Sequence, residues 1–212
     1  MTKPESYYTT HKIDGFEDEF EIHLMLFEEV KNAREISESI KSGKFDIELA
    51  LMNPKTVFSE NIICLAAFKA IASMQTNQMV TKTLHSEVIF NCAPKTNINE
   101  AFRRFGASAD SQAMIVARVV NIKDTKKRNN NNYDNNNNNN NSEDRVEIEN
   151  NKEREKIRKW IDGNEIKVTK ENLNRFADTQ AIQKYYNIQG EELKISTLED
   201  SVLMRIGARE VI

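Results

Sequence analysis

The side chains able to do chemistry are few and scattered along the chain. Its three histidines are His11 in the N-terminal stretch, His23 inside an apolar run, and His85 beside a β-branched segment. His85 and Glu87 lie two residues apart, so on a strand they would share a face. Such a pair could hold a metal or trade a proton, but the polar end of a strand is the favoured reading. Glu87 precedes Val88, Ile89 and Phe90, and a carboxylate drawn that far into apolar surroundings needs hydrogen-bond donors; structural satisfaction is its expected role. Cys64 and Cys92 sit in apolar segments with neither a CxxC partner nor a nearby histidine, the pattern of packed, reduced thiols. With six glycines the chain has no GxGxxG, no GxxxxGK[ST] and no GxSxG, so the usual handles for nucleotides and acyl transfer are missing. The chemistry expected is partner binding, without catalysis, cofactor or metal.

Basic residues form three groups. Lys126, Lys127 and Arg128 form one, and Lys152, Arg154, Lys156, Arg158 and Lys159, interleaved with acids, form another; both read as solvated faces. Lys82, Arg103 and Arg104, with Lys95 near them in sequence, are the better-anchored set and the candidate RNA-binding residues. Any such contact must be local, because the formal charge is only -3, from 30 basic and 33 acidic residues. The N-terminus lacks an apolar signal core, and no apolar run is long enough to span a bilayer. The expectation is a chain neither exported nor membrane-spanning, at home in the cytoplasm and nucleus.

These residues must be positioned by a single α+β domain with a mixed, largely antiparallel sheet flanked by helices, favoured over two small domains at 212 residues. Phe20 to Phe27 alternates as a strand apolar on both faces. Asn32 and Glu35 spell a capping box before a helix that Gly43 stops. Thr56 to Phe58 reads as extended, and Ser59 as the N-cap of Glu60 to Met74. That helix is apolar nearly all round and so expected to be buried. Its stripe Phe68, Ile71 and Met74 reads as core. Glu87 to Cys92 and Ala113 to Val120 read as strands, separated by a helix capped by Asn97, boxed by Glu100 and closed by Gly106. Residues 129 to 141 are almost pure asparagine, and about 124 to 151 is expected as a disordered insertion. Beyond it, Lys152 to Trp160 reads as a solvated helix turning Ile157 and Trp160 inward. A short segment at Glu165 to Val168 follows, then helical patterns at Glu171 to Phe176 and Thr179 to Tyr186. Ser196 and Glu199 box a last helix ending near Ile206, and Arg209 to Ile212 reads as a short strand.

The last helix has two semi-apolar faces. Leu198, Val202, Arg205 and Arg209 follow one line, while Leu203 and Ile206 point round the cylinder. Either one face docks in a partner groove or both are buried internally.

Taken together, Ala50 to Pro54 (ALMNP), Ile63 to Ile71 (ICLAAFKAI), Thr81 to Pro94 (TKTLHSEVIFNCAP) and Asn97 to Ser108 (NINEAFRRFGAS) resemble the TPRKB family, the PRPK-binding subunits of the KEOPS, or EKC, complex. The likeness continues in Val168 to Asn174, Ala181 to Tyr186 and Ser196 to Ile212. It covers the chain apart from the first dozen residues and the asparagine insert. The resemblance implies a non-catalytic adaptor that grips the small atypical kinase and supports formation of N6-threonylcarbamoyladenosine in tRNAs reading codons that begin with A. The chemistry would belong to a separate ATP-using, threonylcarbamoyl-transferring subunit. It makes Leu198, Val202, Arg205, Ile206 and Arg209 the candidate kinase-binding residues. A role in recruiting tRNA is the alternative. Lys82 stands where relatives tend to carry arginine.

Overall fold

In the computed structural model, residues 7–123 and 142–209 are described. The sheet is built around β2 (Phe20–Glu28), which lies between β4 (Met114–Asn121) on one side and two short strands, β1 (Thr9–Lys12) and β5 (Asn164–Ile166), on the other. β1 pairs with Glu21 to Leu24 and β5 with Leu26 to Glu28, so the two share the side of β2 that β4 leaves open. β3 (Ala50–Met52) borders β4. Every pairing among these strands is antiparallel.

Period-two alternation sends the side chains of β2 into two cores. Phe20, Ile22, Leu24 and Leu26 enter the larger core, and Met25 and Phe27 the smaller. The larger core is closed by α2 (Glu60–Gln75), α3 (Leu84–Asn91), α4 (Ile98–Phe105), α6 (Lys170–Phe176), α7 (Thr179–Tyr186) and α8 (Leu198–Gly207). The smaller is closed by α1 (Ala33–Lys41) and α5 (Ser142–Trp160). The result is an α+β sandwich whose sheet is buried on both faces. Among the described residues, no helix is long and apolar enough to cross a membrane.

Local signals set most helix starts. Ser59 accepts the Asn61 amide at 3.2 Å, Asn97 the Glu100 amide at 3.0 Å and Thr169 the Asn172 amide at 3.1 Å. Gly106 follows α4 in an extended conformation, and glycine is required there because a Cβ would lie 2.6 Å from the Phe102 carbonyl oxygen. Asn32 precedes α1 but does not cap it; its side chain bridges to the end of α5, donating to the Trp160 carbonyl at 2.8 Å and accepting the Asp162 amide at 3.0 Å. Phe45 stacks on Trp160 with ring centroids 3.8 Å apart, closing that corner.

Besides the Asn32 box, four expectations are corrected. Glu87 to Cys92, expected as a strand, is the last part of α3 and its C-cap. Thr83 caps the helix by accepting the Ser86 amide at 3.1 Å, and the surrounding core overrides β-branched propensity. Thr56 to Phe58 forms no strand; the Thr56 and Val57 amides close a turn on Asn53. α8 is capped by Thr197, one residue later than Ser196, through the Asp200 amide at 3.1 Å, so Glu199 is not part of a box. Of the expected insertion, residues 124–141 lie outside the described residues, whereas 142–151 belong to α5, and Val146 and Asn150 are buried on the sheet. Residues 210–212 of the expected last strand are also outside the described part.

Candidate partner-docking face

α8 lies beside α2, and the two helices run in the same direction. Glu199 in the first turn of α8 meets the start of α2, accepting from the Ser59 hydroxyl and, at 2.8 Å, from the Asn61 amide group. Lys69, two turns further along α2, donates to the Ile206 carbonyl at the far end of α8 at 2.7 Å. Between these contacts Val202 and Ile206 are fully buried, as are Ile62, Ala66 and Ala70 of α2.

The outward side of the pair is apolar. Cys64, Leu65, Phe68 and Leu203 line a hollow of about 510 Å³ rimmed by His11, Lys12, Asp14 and Asn61. Phe68 keeps 39% of its surface exposed, and Met204 on the outer side of α8 keeps 70%. Large apolar side chains gathered at a hollow with a polar rim form the kind of surface that receives a partner's side chain. Phe68 therefore departs from the core stripe expected for it, while Ile71 is buried and Met74 packs against the core.

The five candidate kinase-binding residues do not form one exposed stripe. Val202 and Ile206 belong to the core, and Leu198 is packed against it. Arg205 binds both carboxylate oxygens of Glu192 at 2.7 Å and the Ser201 carbonyl at 3.1 Å, and it holds the Glu192 carboxyl down at about 2. Arg209 crosses to the end of α3, donating to the Phe90 and Ala93 carbonyls at 3.0 and 3.3 Å and to the Asn91 side chain, with its guanidinium 4.5 Å from the Phe90 ring centroid. Leu65 and Met204 were not expected at the surface, and Leu203 was expected only on the second semi-apolar face of the helix; Leu65 and Leu203 are half-buried and Met204 is exposed. The sequence marks them only as apolar positions on helices that are apolar all round, and which of those turn outward depends on the neighbour.

The basic candidates divide similarly. Arg103 and Arg104 both approach Glu100, at 3.7 and 3.1 Å, and Arg104 also lies 4.3 Å over the Tyr185 ring. Arg103 remains exposed, as does Lys82 just before α3.

The groups able to do acid-base chemistry are engaged elsewhere. Glu87 accepts from the Val80 amide, from the Thr81 amide at 2.7 Å and from the Thr81 hydroxyl at 2.7 Å, which fixes the loop into α3. His85 Nε2 accepts the Val119 amide of β4 at 3.0 Å, so its proton is on Nδ1; burial pushes its pKa down to about 4. The two share a helix, with no strand face between them. His11 belongs to β1 and pairs with Glu60. Burial raises Cys64 to about 11 and Cys92 to about 12, leaving both thiols protonated at neutral pH. Among the described residues, no group of three or more His, Cys, Asp or Glu side chains is placed to hold a metal ion.

Comparison with known proteins gives this surface a context. The chain is 31% identical over 204 residues to the EKC/KEOPS complex subunit TPRKB of Danio rerio, covering 96% of this chain and 99% of the relative. It is 30% identical over 191 residues to the EKC/KEOPS complex subunit CGI121 of Candida glabrata, covering 90% and 91%. It is 27% identical over 194 residues to the cgi121 subunit of Schizosaccharomyces pombe, covering 90% and 94%. The model of the family described as kinase binding protein CGI-121 matches residues 27–210. An open antiparallel α+β sandwich with this match over most of its length belongs to the CGI-121 family of kinase-binding proteins, among them the TPRKB and CGI121 subunits of the EKC/KEOPS complex.

Proposed function

We propose that this chain is a non-catalytic EKC/KEOPS subunit that docks the PRPK-type kinase of the complex on the outer face of the α2–α8 pair. Through that contact it supports N6-threonylcarbamoyladenosine formation in tRNAs reading codons that begin with A, in the cytoplasm and nucleus. The observation that carries the reading is the apolar hollow of Leu65, Phe68 and Leu203 on a chain of a kinase-binding family. Of the sequence-derived kinase-binding set, Val202 and Ile206 act from below by seating α8, and Leu198, Arg205 and Arg209 by fixing its ends. A charge placed in the hollow must be desolvated when the kinase docks. Phe68→Asp and Leu203→Asp should each weaken kinase binding by at least about tenfold, equivalent to about 1.4 kcal/mol, with the circular dichroism of the free chain unchanged. Undiminished co-purification of the kinase with both variants would move the docking face elsewhere.

A second reading, a tRNA contact at Lys82, Arg103 and Arg104, is favoured by the exposure of Lys82 and Arg103. Phosphate contacts release counterions, so affinity for tRNA should fall steeply with salt and fall at every salt concentration in Lys82→Ala/Arg103→Ala. No binding at low salt would remove this reading.

A further inference from the structure

We infer that Glu199 is the positioning residue of the docking face: it fixes the register and rotation of α8 on α2, and so where Leu203 meets the hollow. The inference rests on the docking reading above. The Glu199 side chain is 13% exposed and joins three helix starts. One carboxylate oxygen takes the Ser59 hydroxyl and the Asn61 amide group, and the other takes Lys170 Nζ at 3.0 Å. Ser59 is the N-cap of α2 and Lys170 the first residue of α6, while Glu199 is itself in the first turn of α8. The positive ends of α2 and α8 both favour a carboxylate at this point.

Apolar burial alone does not choose the seating of α8. Val202 and Ile206 enter the same core as α2, whose fully buried positions Ile62, Ile63, Ala66, Ala67, Ala70 and Ile71 are half alanine, and helices packed over small residues can shift with little change in buried area. The polar contacts choose, because they are directional: Glu199 at the start of α8, and at its far end Lys69 to the Ile206 carbonyl together with the Arg205 and Arg209 anchors. Leu203 is one residue from Val202, about 100° round the helix, so a rotation of α8 that keeps Val202 buried still carries Leu203 off the hollow.

The test compares kinase affinity, dissociation rate and unfolding temperature for Glu199→Ala, Ser59→Ala and their double variant. Ile36→Val, a truncation in the core on the opposite face of the sheet, is the stability control, and Phe68→Asp the control for the docking reading. Glu199→Ala is expected to weaken kinase binding about tenfold, mainly through faster dissociation, and to speed amide exchange in α8. Ser59→Ala should give a similar loss, and the double variant no more than Glu199→Ala alone. Glu199→Gln, which still accepts from Ser59 and Asn61, should recover most of the affinity. Ile36→Val should lower the unfolding temperature with affinity within about twofold of the parent, since a distant core site does not couple to the face. Affinity within twofold for Glu199→Ala, with Phe68→Asp weakened, overturns the positioning role and leaves the docking reading standing. An equal affinity loss in Ile36→Val reduces Glu199 to a general stabiliser and also overturns it. Full affinity in Phe68→Asp overturns the docking reading itself.

Discussion

Each face of the sheet buries a histidine, and the two are held in opposite ways. On the larger-core side His85 is held by a backbone group: its Nε2 takes the Val119 amide, continuing the edge of β4 beyond the short β3, and the Glu48 carboxylate, 3.7 Å from its Nδ1, is exposed. On the smaller-core side His23 meets charges. Its Nε2 bonds Glu21 at 2.6 Å and its Nδ1 takes Arg154 of α5 at 3.2 Å; its cross-strand neighbour on β4 is Arg118, which bonds Asn150 at 3.2 Å and pairs with Glu153. Arg154 also lies 3.5 Å from the Tyr8 ring centroid. The contrast extends to the helices. α2 and α8 meet through apolar side chains with polar contacts at the ends, whereas α5 is apolar at Ile157 and polar along Asn150, Glu153 and Arg154. Apolar seams supply burial, and polar groups select one arrangement.

The largest expected effect breaks the apolar seam. Val202→Asp places a carboxylate at a site with no exposure and no partner, which should cost about 4 kcal/mol or more and leave the chain unfolded or aggregated. A cooperative melt near the parental temperature would show that α8 can leave the core freely. Titration comes next. Burial lowers both histidines, with the Arg118 charge adding at His85 and the Glu21 bond opposing at His23. In each case the unfolded chain binds the proton more readily, so stability is full above about pH 6.5 and falls as pH drops towards the folded values. For His85, at about 4 in the folded chain, the loss should reach about 3 kcal/mol by pH 4. His85→Gln should flatten this part of the curve in denaturant melts; an unchanged slope would mean that His85 is solvated.

A smaller effect, about 1 to 3 kcal/mol, is expected from Tyr186→Phe, which leaves the buried Cys92 carbonyl without the hydroxyl now 2.5 Å away. Chemical denaturation measures it. The smallest separates the two halves of α5. Amides at 147–154 should exchange a few fold faster than those at 157–160, because charged contacts open more readily than packed ones, and the gap should widen on acidification as His23 takes a proton. Uniform protection along the helix would erase the contrast.

Much of the frame was legible in the sequence. FEIHLMLF gave a strand apolar on both faces because period two is independent of neighbours, and Ser59 and Asn97 gave helix starts because a cap is a bond across two or three residues. The helix over Glu87 to Asn91 was hidden: its β-branched run fits a strand, and the Thr83 cap together with its place against α2 and β4 makes it helical. The docking face was half legible. The apolar stripes of α2 and α8 were visible, but not which apolar residues would be covered.

The sequence by itself determined the alternation of β2, most helix caps, the scarcity of catalytic motifs and the family. These rest on contacts within a few residues or on the order of whole segments. The tertiary structure decided that Val202 and Ile206 turn inward while Phe68 and Met204 remain outside, and that Glu199 reaches Ser59, 140 residues away in sequence. An all-round apolar helix carries no mark of its own outside; the outside is whatever its neighbours leave uncovered.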